Sequence, residues 1–322
     1  MRIMSAHLFG PVPSRRLGRS LGVDPVPLKT CCYNCVYCQL GRTTNLTAER
    51  QPYVPAATLI DELAAWLARG EPADVLTLSG SGEPTLNSEI GEVVRWARHH
   101  TAIPIAVLTN GALLWQADVR RDIWDADLLI PSLDAATEDT FRRLNRPAAG
   151  LELDQVVEGL VAARRECRGE MWLEIMMVAG FNDRDEELAA LRRAVDRIQP
   201  RRVQINTVAR PPAEASARPL SNRALRRIRE RLGPRAELVR PRRPPQPSEL
   251  AHAAPGAILA LLRRRPCTVS DIAAALSLHP NEVAKLLEQL LAAAAIGTVT
   301  RYGASYYVAT ADDHKVADTS LR

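Results

Sequence analysis

Leu28-Lys29-Thr30-Cys31-Cys32-Tyr33-Asn34-Cys35-Val36-Tyr37-Cys38 holds four of the chain's six cysteines within eight residues. Cys167 and Cys267 stand far off and alone. A disulfide framework spreads its pairs along a chain, so this crowding reads as metal binding. Cys31, Cys35 and Cys38 have the spacing Cys-x3-Cys-x2-Cys. Three thiolates can hold three irons of a [4Fe–4S] cluster and leave the fourth open. Such a vacancy separates a reactive metal site from a closed structural one. The alternative is a structural zinc on all four cysteines. The adjacency of Cys31 and Cys32 weighs against it, because neighbouring side chains rarely converge on one tetrahedral ion. Cys32 reads as a small buried thiol, or as a substitute for Cys31.

Around that stretch, from about residue 17 to 207, short β-branched apolar runs alternate with helical patterns. Strands are predicted at 17–26, 75–79, 103–108, 128–132, 172–178 and 202–207. Helices are predicted at 56–68, 88–99, 153–167, 185–198 and 221–232, with Asn182-Asp183 as the cap of the fourth. The alternation predicts an α/β fold of parallel strands with helical crossovers. Six units predict an incomplete (β/α)6 barrel of the TIM type over residues 1–232. Residues 233–254 are rich in Pro and Arg and read as an extended linker. Residues 255–310 show three helical patterns, then two short strands flanking Arg301-Tyr302-Gly303-Ala304. That order predicts a winged helix-turn-helix domain. Residues 311–322 read as a flexible polar tail.

The 322 residues are 46% hydrophobic and 25% charged, the mix of a soluble globular protein with room for one large and one small domain. No run reaches the roughly 18 apolar residues a membrane helix needs. The first twenty residues carry no continuous apolar signal segment, so a cytoplasmic protein without a membrane partner is expected. The net charge is +5, but residues 201–243 hold thirteen Arg against three Glu, a local +10. Such concentration fits an anion or RNA footprint, or a solvated surface helix and its linker. Residues 255–322 carry seven basic against six acidic groups. The expected recognition helix bears Glu282, Lys285 and Glu288. Near-neutrality there argues against duplex DNA and for a docking module or a cover over the barrel.

Further motifs sit where predicted strands end: Gly80-Ser81-Gly82-Glu83-Pro84-Thr85-Leu86, Thr109-Asn110-Gly111, Ser132-Leu133-Asp134, Gly180-Phe181-Asn182-Asp183 and Asn206-Thr207. Together with the cysteines they resemble the radical S-adenosylmethionine (SAM) superfamily over roughly residues 7–232. Ser81 departs from that family's usual glycine. The resemblance implies a [4Fe–4S] cluster on Cys31, Cys35 and Cys38, with SAM chelating the open iron. It implies Tyr37 against the adenine, Gly82, Glu83 and Pro84 receiving the methionine amino group, and Val178 and Gly180 flanking the adenine. Ser132 and Asp134 would meet the methionyl or ribose groups, or form an ordinary turn. Asn110 would join the cofactor contacts, or belong to a plain strand-to-helix turn. The implied enzyme cleaves SAM reductively to methionine and a 5′-deoxyadenosyl radical, with electrons from a flavodoxin- or ferredoxin-type donor.

Residues 9–25 and Cys38-Gln39-Leu40-Gly41 look like one subgroup of Fe–S oxidoreductases. It is related to the radical SAM enzyme of wybutosine synthesis, which modifies guanosine in tRNA. RNA or protein is then the expected substrate. An anionic small molecule, or an iron–sulfur sensor joined to a winged helix, are the alternatives. Ser14, Arg15, Arg16 and Arg19 are expected to hold an anionic substrate or the SAM carboxylate, or to pack against strand ends. Arg143, Arg146 and Arg210 add cations whose guanidinium forks suit phosphate or carboxylate.

Overall fold

A computed structural model describes residues 7–14, 16–239, 255–276, 278 and 280–310. Arg15, residues 240–254 of the expected linker and the expected tail at 311–322 lie outside the described residues, as do the side chains of Glu282 and Lys285. The chain divides into two compact units, Met1–Pro245 and Gln246–Arg322.

The first unit runs β1 (Leu8–Ser14), β2 (Gly18–Val23), β3 (Thr30–Cys31), β4 (Asn45–Leu46), α1 (Ala56–Leu67), β5 (Val75–Leu78), α2 (Ile90–His100), β6 (Ile105–Thr109), α3 (Ala117–Asp122), β7 (Leu128–Pro131), α4 (Glu138–Leu144), α5 (Leu153–Glu166), β8 (Glu170–Met177), α6 (Asp185–Ile198), β9 (Arg202–Thr207), α7 (Asn222–Leu232) and β10 (Ala236–Leu238). One sheet takes the order β1-β2-β5-β6-β7-β8-β9-β10. Only β1 is antiparallel to its neighbour; every other pairing in this sheet is parallel.

All six expected strands are present, and the α/β reading with a mostly parallel sheet holds. The edges add to it. β1 lies in a Pro-containing stretch, which an edge strand tolerates because its outer side needs no donors. Residues 236–238, expected to be linker, pair with β9 instead. α3 and α4 were not expected either; at six and seven residues they are too short for a periodic signal.

The sheet must curl. In a flat sheet β2 and β8 would lie four steps, about 19 Å, apart, at about 4.8 Å per step. Yet Arg16, on the turn before β2, donates through Nη1 to Glu174 of β8 and, at 3.1 Å, to Gln204 of β9. That bond crosses the sheet's inner face. The ends β1 and β10 close no ladder among the described residues, so the barrel is incomplete. Helices cover the outer face. On α1 the buried residues Ala56, Leu59, Leu63 and Trp66 recur at three and four, the period of one helix face. On β8 Met171, Leu173, Ile175 and Met177 are buried, while Trp172, Glu174 and Met176 alternate with them toward the lumen.

The second unit holds α8 (Pro255–Arg264), α9 (Val269–Leu276), α10 (Pro280–Ala292) and a hairpin of β11 (Ile296–Arg301) with β12 (Ala304–Ala309). Thr268 and Asp271 cap α9 reciprocally. The Asp271 carboxylate accepts from the Thr268 N–H and hydroxyl at 3.0 Å each, and the Asp271 N–H donates back at 3.1 Å. Ile258, Leu262, Ile272, Val283, Leu287 and Ile296 form its buried interior.

Candidate active site

The cysteine loop follows β2 and is pinned by three other loops. After β5, the Lys29 N–H donates to Ser81 O at 2.7 Å and the Glu83 N–H to Thr30 O at 3.0 Å. A Cβ on Gly82 would fall 1.9 Å from Thr30 O, so this close approach requires glycine. Ser81 has its own use: its N–H (3.0 Å) and its hydroxyl both donate to the buried Asp24 carboxylate. After α4, Asn34 and Val36 donate their N–H groups to Asn145 O and Leu144 O, both at 3.0 Å. After β9, the Glu214 N–H donates to Val36 O at 2.9 Å.

Cys31, Cys35 and Cys38 are partly exposed, whereas Cys32 is fully buried in the main core. The loop therefore leaves three cysteines partly exposed and sinks one into the core, and Cys32 is a packing residue. Burial pushes the Cys31 thiol up to about 12 and raises Cys35 and Cys38 as well. Negative charge on Cys31 or Cys38 raises Cys35 further, so the three lie within electrostatic reach of one another. No three His, Cys, Asp or Glu side chains among the described residues converge tightly enough for one metal ion. N–H donors meet each sulfur. Asn110 Nδ2 and the Tyr33 N–H approach Cys31 at 3.5 Å, Asn145 Nδ2 approaches Cys35 at 3.5 Å, and the Leu40 N–H with the charge of Lys29 eases Cys38 downward.

Two carboxylates expected against the ligand lie behind this loop. Glu83 is 2% exposed and accepts from the Thr85 N–H and hydroxyl (3.0 and 2.6 Å), the Thr109 hydroxyl (2.6 Å) and the Asn110 N–H (2.6 Å). It braces the ends of β5 and β6. Asp134 is 3% exposed and accepts from the Tyr37 hydroxyl, the Met176 N–H (2.8 Å) and Asn145 Nδ2 (3.1 Å). Burial raises both carboxyls, Asp134 to about 6, with the hydrogen bonds pulling the other way. Neither has a cationic partner among the described residues. The region is thus poised to favour a positive ligand, which fits a sulfonium-bearing cofactor as the thiols fit an iron–sulfur cluster.

The other expected residues divide. Ser132, half-buried after β7, has no side-chain hydrogen bond among the described residues. Gly180 has φ +78, and open space where a Cβ would stand. Both remain available to a ligand. Pro84 is buried at the start of a short 3-10 turn. The Val178 side chain packs with Val36, Leu144, Val208 and Ala217 beneath the loop, withdrawn from the mouth. Asn182 caps no helix. Its amide donates to Asp134 O and Met176 O, both at 2.8 Å, and its oxygen accepts from the Val178 N–H, tying β7 to β8.

Of the two readings of the arginines, packing at strand ends is the one seen for Arg16 and Arg19. Arg16 and Arg19 flank the start of β2, the opposite end from the cysteines, and bond to Glu174 and Asp74. Ser14 Oγ accepts the Arg16 and Leu17 N–H groups and merely closes that turn. Arg146 and Arg42 share Glu214, and Arg143 lies near Asp139 and over Phe181. What sequence reasoning missed was Asn145, which no motif marks.

A family model described as the radical SAM superfamily matches residues 26–192. A UPF0026 protein of Helicobacter pylori is 31% identical over 287 residues, covering 88% of this chain and 91% of that protein. A protein of Brachyspira hyodysenteriae named GTPase Obg is 38% identical over 229 residues, 71% of this chain; the chain spans only 34% of that protein's length. A GTP 3′,8-cyclase of Picosynechococcus is 29% identical over 168 residues, half of each chain. The crystal structure of a radical SAM methyltransferase from Sphaerobacter thermophilus shares the fold at TM-score 0.53 and 22% identity, over 68% of this chain and 65% of that one. With three partly exposed cysteines on the loop after β2 and a match spanning more than half its length, the chain belongs to the radical SAM superfamily and uses that family's two cofactors, a [4Fe–4S] cluster and SAM.

Proposed function

We propose that this protein holds the cluster on Cys31, Cys35 and Cys38 and modifies guanosine-containing RNA by radical chemistry. What carries the reading is the loop itself: three partly exposed cysteines, each met by an N–H donor, in front of two buried carboxylates without a cation. When bound, the cofactors supply one electron to SAM and so a 5′-deoxyadenosyl radical that takes hydrogen from the substrate. The chain's own residues do the rest. The hydroxyl of Ser132 and the open backbone at Gly180 offer contacts to SAM, with Tyr37 held in place by Asp134. A flavodoxin- or ferredoxin-type carrier delivers the electron.

RNA is favoured by α7. Its arginines at 223, 226, 227, 229 and 231 are all exposed, and among the described residues only Arg231 reaches a carboxylate on another element, Asp185. Arg suits phosphodiesters because its fork binds two oxygens at once. The likeness of residues 9–25 to the tRNA guanosine-modifying subgroup points the same way. The second unit, read as a winged helix, serves as a docking module. A second reading, an anionic small-molecule substrate, draws on the GTP 3′,8-cyclase relative.

The test is anaerobic reconstitution with iron and sulfide, reduction with dithionite and assay for 5′-deoxyadenosine. Its formation is expected; a loaded cluster that leaves SAM intact removes the enzymatic reading. Binding to tRNA should weaken steeply as salt rises. Salt-insensitive or absent binding, with deoxyadenosine formed on adding guanine nucleotides, selects the small-molecule reading.

A further inference from the structure

We infer that Asn110 and Asn145 are positioning residues that set the electron affinity of the cluster, one carboxamide to each of two thiolates. This deepens the cluster assignment above and rests on it. Asn110 Nδ2 lies 3.5 Å from Cys31 Sγ, and Asn145 Nδ2 lies 3.5 Å from Cys35 Sγ. The two come from loops on different parts of the barrel, after β6 and after α4.

Both amides have their orientation decided by a second partner. Asn110 Oδ1 accepts from the Ala112 N–H at 2.9 Å, so its NH2 group is the half that faces sulfur. Asn145 Nδ2 donates to Asp134 Oδ2 at 3.1 Å. An ionised carboxylate only accepts, so the nitrogen must lie on that side, and its second hydrogen is left for Cys35. The Tyr37 hydroxyl, whose own proton goes to Asp134, accepts from the same nitrogen at 3.5 Å, so that second hydrogen is shared between Cys35 Sγ and the Tyr37 oxygen. Asn145 is 2% exposed, so its bonds replace water at the sulfur.

Reduction adds one electron to the cluster, taking it from the 2+ to the 1+ state, and makes or breaks no bond in the protein. Sulfur gains negative charge in that step. An N–H aimed at it is worth more afterwards than before, so each donor favours the reduced state. The braces at the strand ends hold the donors too: Asn110 bonds Glu83 through its backbone, and Asn145 bonds Asp134 through its side chain.

The test is a redox titration of the anaerobically reconstituted full chain, without SAM or substrate, followed by the electron paramagnetic resonance of the reduced cluster. Asn110→Asp keeps the acceptor for Ala112 and turns an oxygen to Cys31. Asn145→Leu removes both hydrogens at similar volume, and Asn145→Gln keeps a donor. At fixed solution potential the ratio of reduced to oxidised cluster should fall about tenfold in N110D and in N145L, equivalent to about 59 mV for a one-electron couple. N145Q should recover part of the loss. If N145L fails to load, N110D decides alone: a loaded N110D with the wild-type midpoint overturns the inference. A wild-type chain that takes up no four-iron cluster sinks the cluster assignment itself, and iron analysis shows that before any titration.

Discussion

The two ends of β2 handle charge in opposite ways. At its start, Arg19 meets Asp74 and Arg16 meets Glu174, each cation with its carboxylate. After it, Glu83 and Asp134 are buried among amides, hydroxyls and backbone N–H groups, with no ion pair among the described residues. Paired charge serves the fold, because the pair is complete without a ligand. Carboxyls raised by burial and left unpaired weaken the fold, and are retained where something positive is to bind. The thiols stand at that second end.

The sharpest break in this comparison comes from the sulfurs. Replacing Cys31, Cys35 or Cys38 singly with Ser should abolish most of the iron uptake on reconstitution, since each thiolate holds its own iron corner. Cys32→Ala, a substitution in the core, should keep the iron and instead cost about 1–3 kcal/mol of stability through lost packing. Iron content and the visible absorbance of the cluster measure the first, and denaturant melts the second. Iron loss equal in all four variants would mean that Cys32 is a ligand and that the division between buried and partly exposed cysteines fails.

The paired end breaks differently. Arg16→Met leaves Glu174 without its cation, with both side chains only about 15% exposed. A loss of about 1–3 kcal/mol is expected. The double variant Arg16→Met with Glu174→Met should recover much of it, because no charge is then stranded. Urea melts of the four chains give the coupling. Additive losses would show that the pair does not hold the curl of the sheet.

The cysteine loop was legible because its ligands are local: three thiols within eight residues announce themselves at any fold. The six inner strands were legible for the same reason, each a short apolar run. The residues that organise the site were not. Asn182 looked like a helix cap, but it bonds Met176 at the end of β8 and Asp134 in the loop after β7, 48 residues away, which only the folded sheet brings near. Asn145 sits in an unremarkable Arg-Leu-Asn-Arg run; its meaning comes from Cys35, 110 residues away. Glu83 was placed on the right loop, but its hydrogen bonds to Thr109 and Asn110 were not legible, since sequence does not report which face of a turn is buried. Sequence left open whether Arg16 and Arg19 hold a ligand or pack at a strand end, because the turn before a strand and the loop after it are close in sequence and a barrel's depth apart. Prolines at 11 and 13 hid β1.

Glu214 supplies the smallest and finest test, an ion pair placed at the unpaired end. It reaches from the loop after β9 to Arg146 at 2.8 Å and to Arg42 of the cysteine loop at 3.0 Å. Arg146, hydrogen-bonded to it, lowers its carboxyl below the ordinary 4.5, with Arg42 adding to the effect. Arg42 is 70% exposed, so solvent screens much of this attraction and about 0.2–1 kcal/mol is the range to expect. A lowered carboxyl contributes stability that is whole above its ordinary value and fades as pH falls through the lowered one. Glu214→Gln should therefore melt slightly below wild type at neutral pH, and the gap should close as the solution is acidified below 4.5. High salt at neutral pH should close it as well. A gap that persists in acid and in salt would mean that Glu214 acts through its backbone bond to Val36 and its packing. Charge would then do no structural work at the cysteine end.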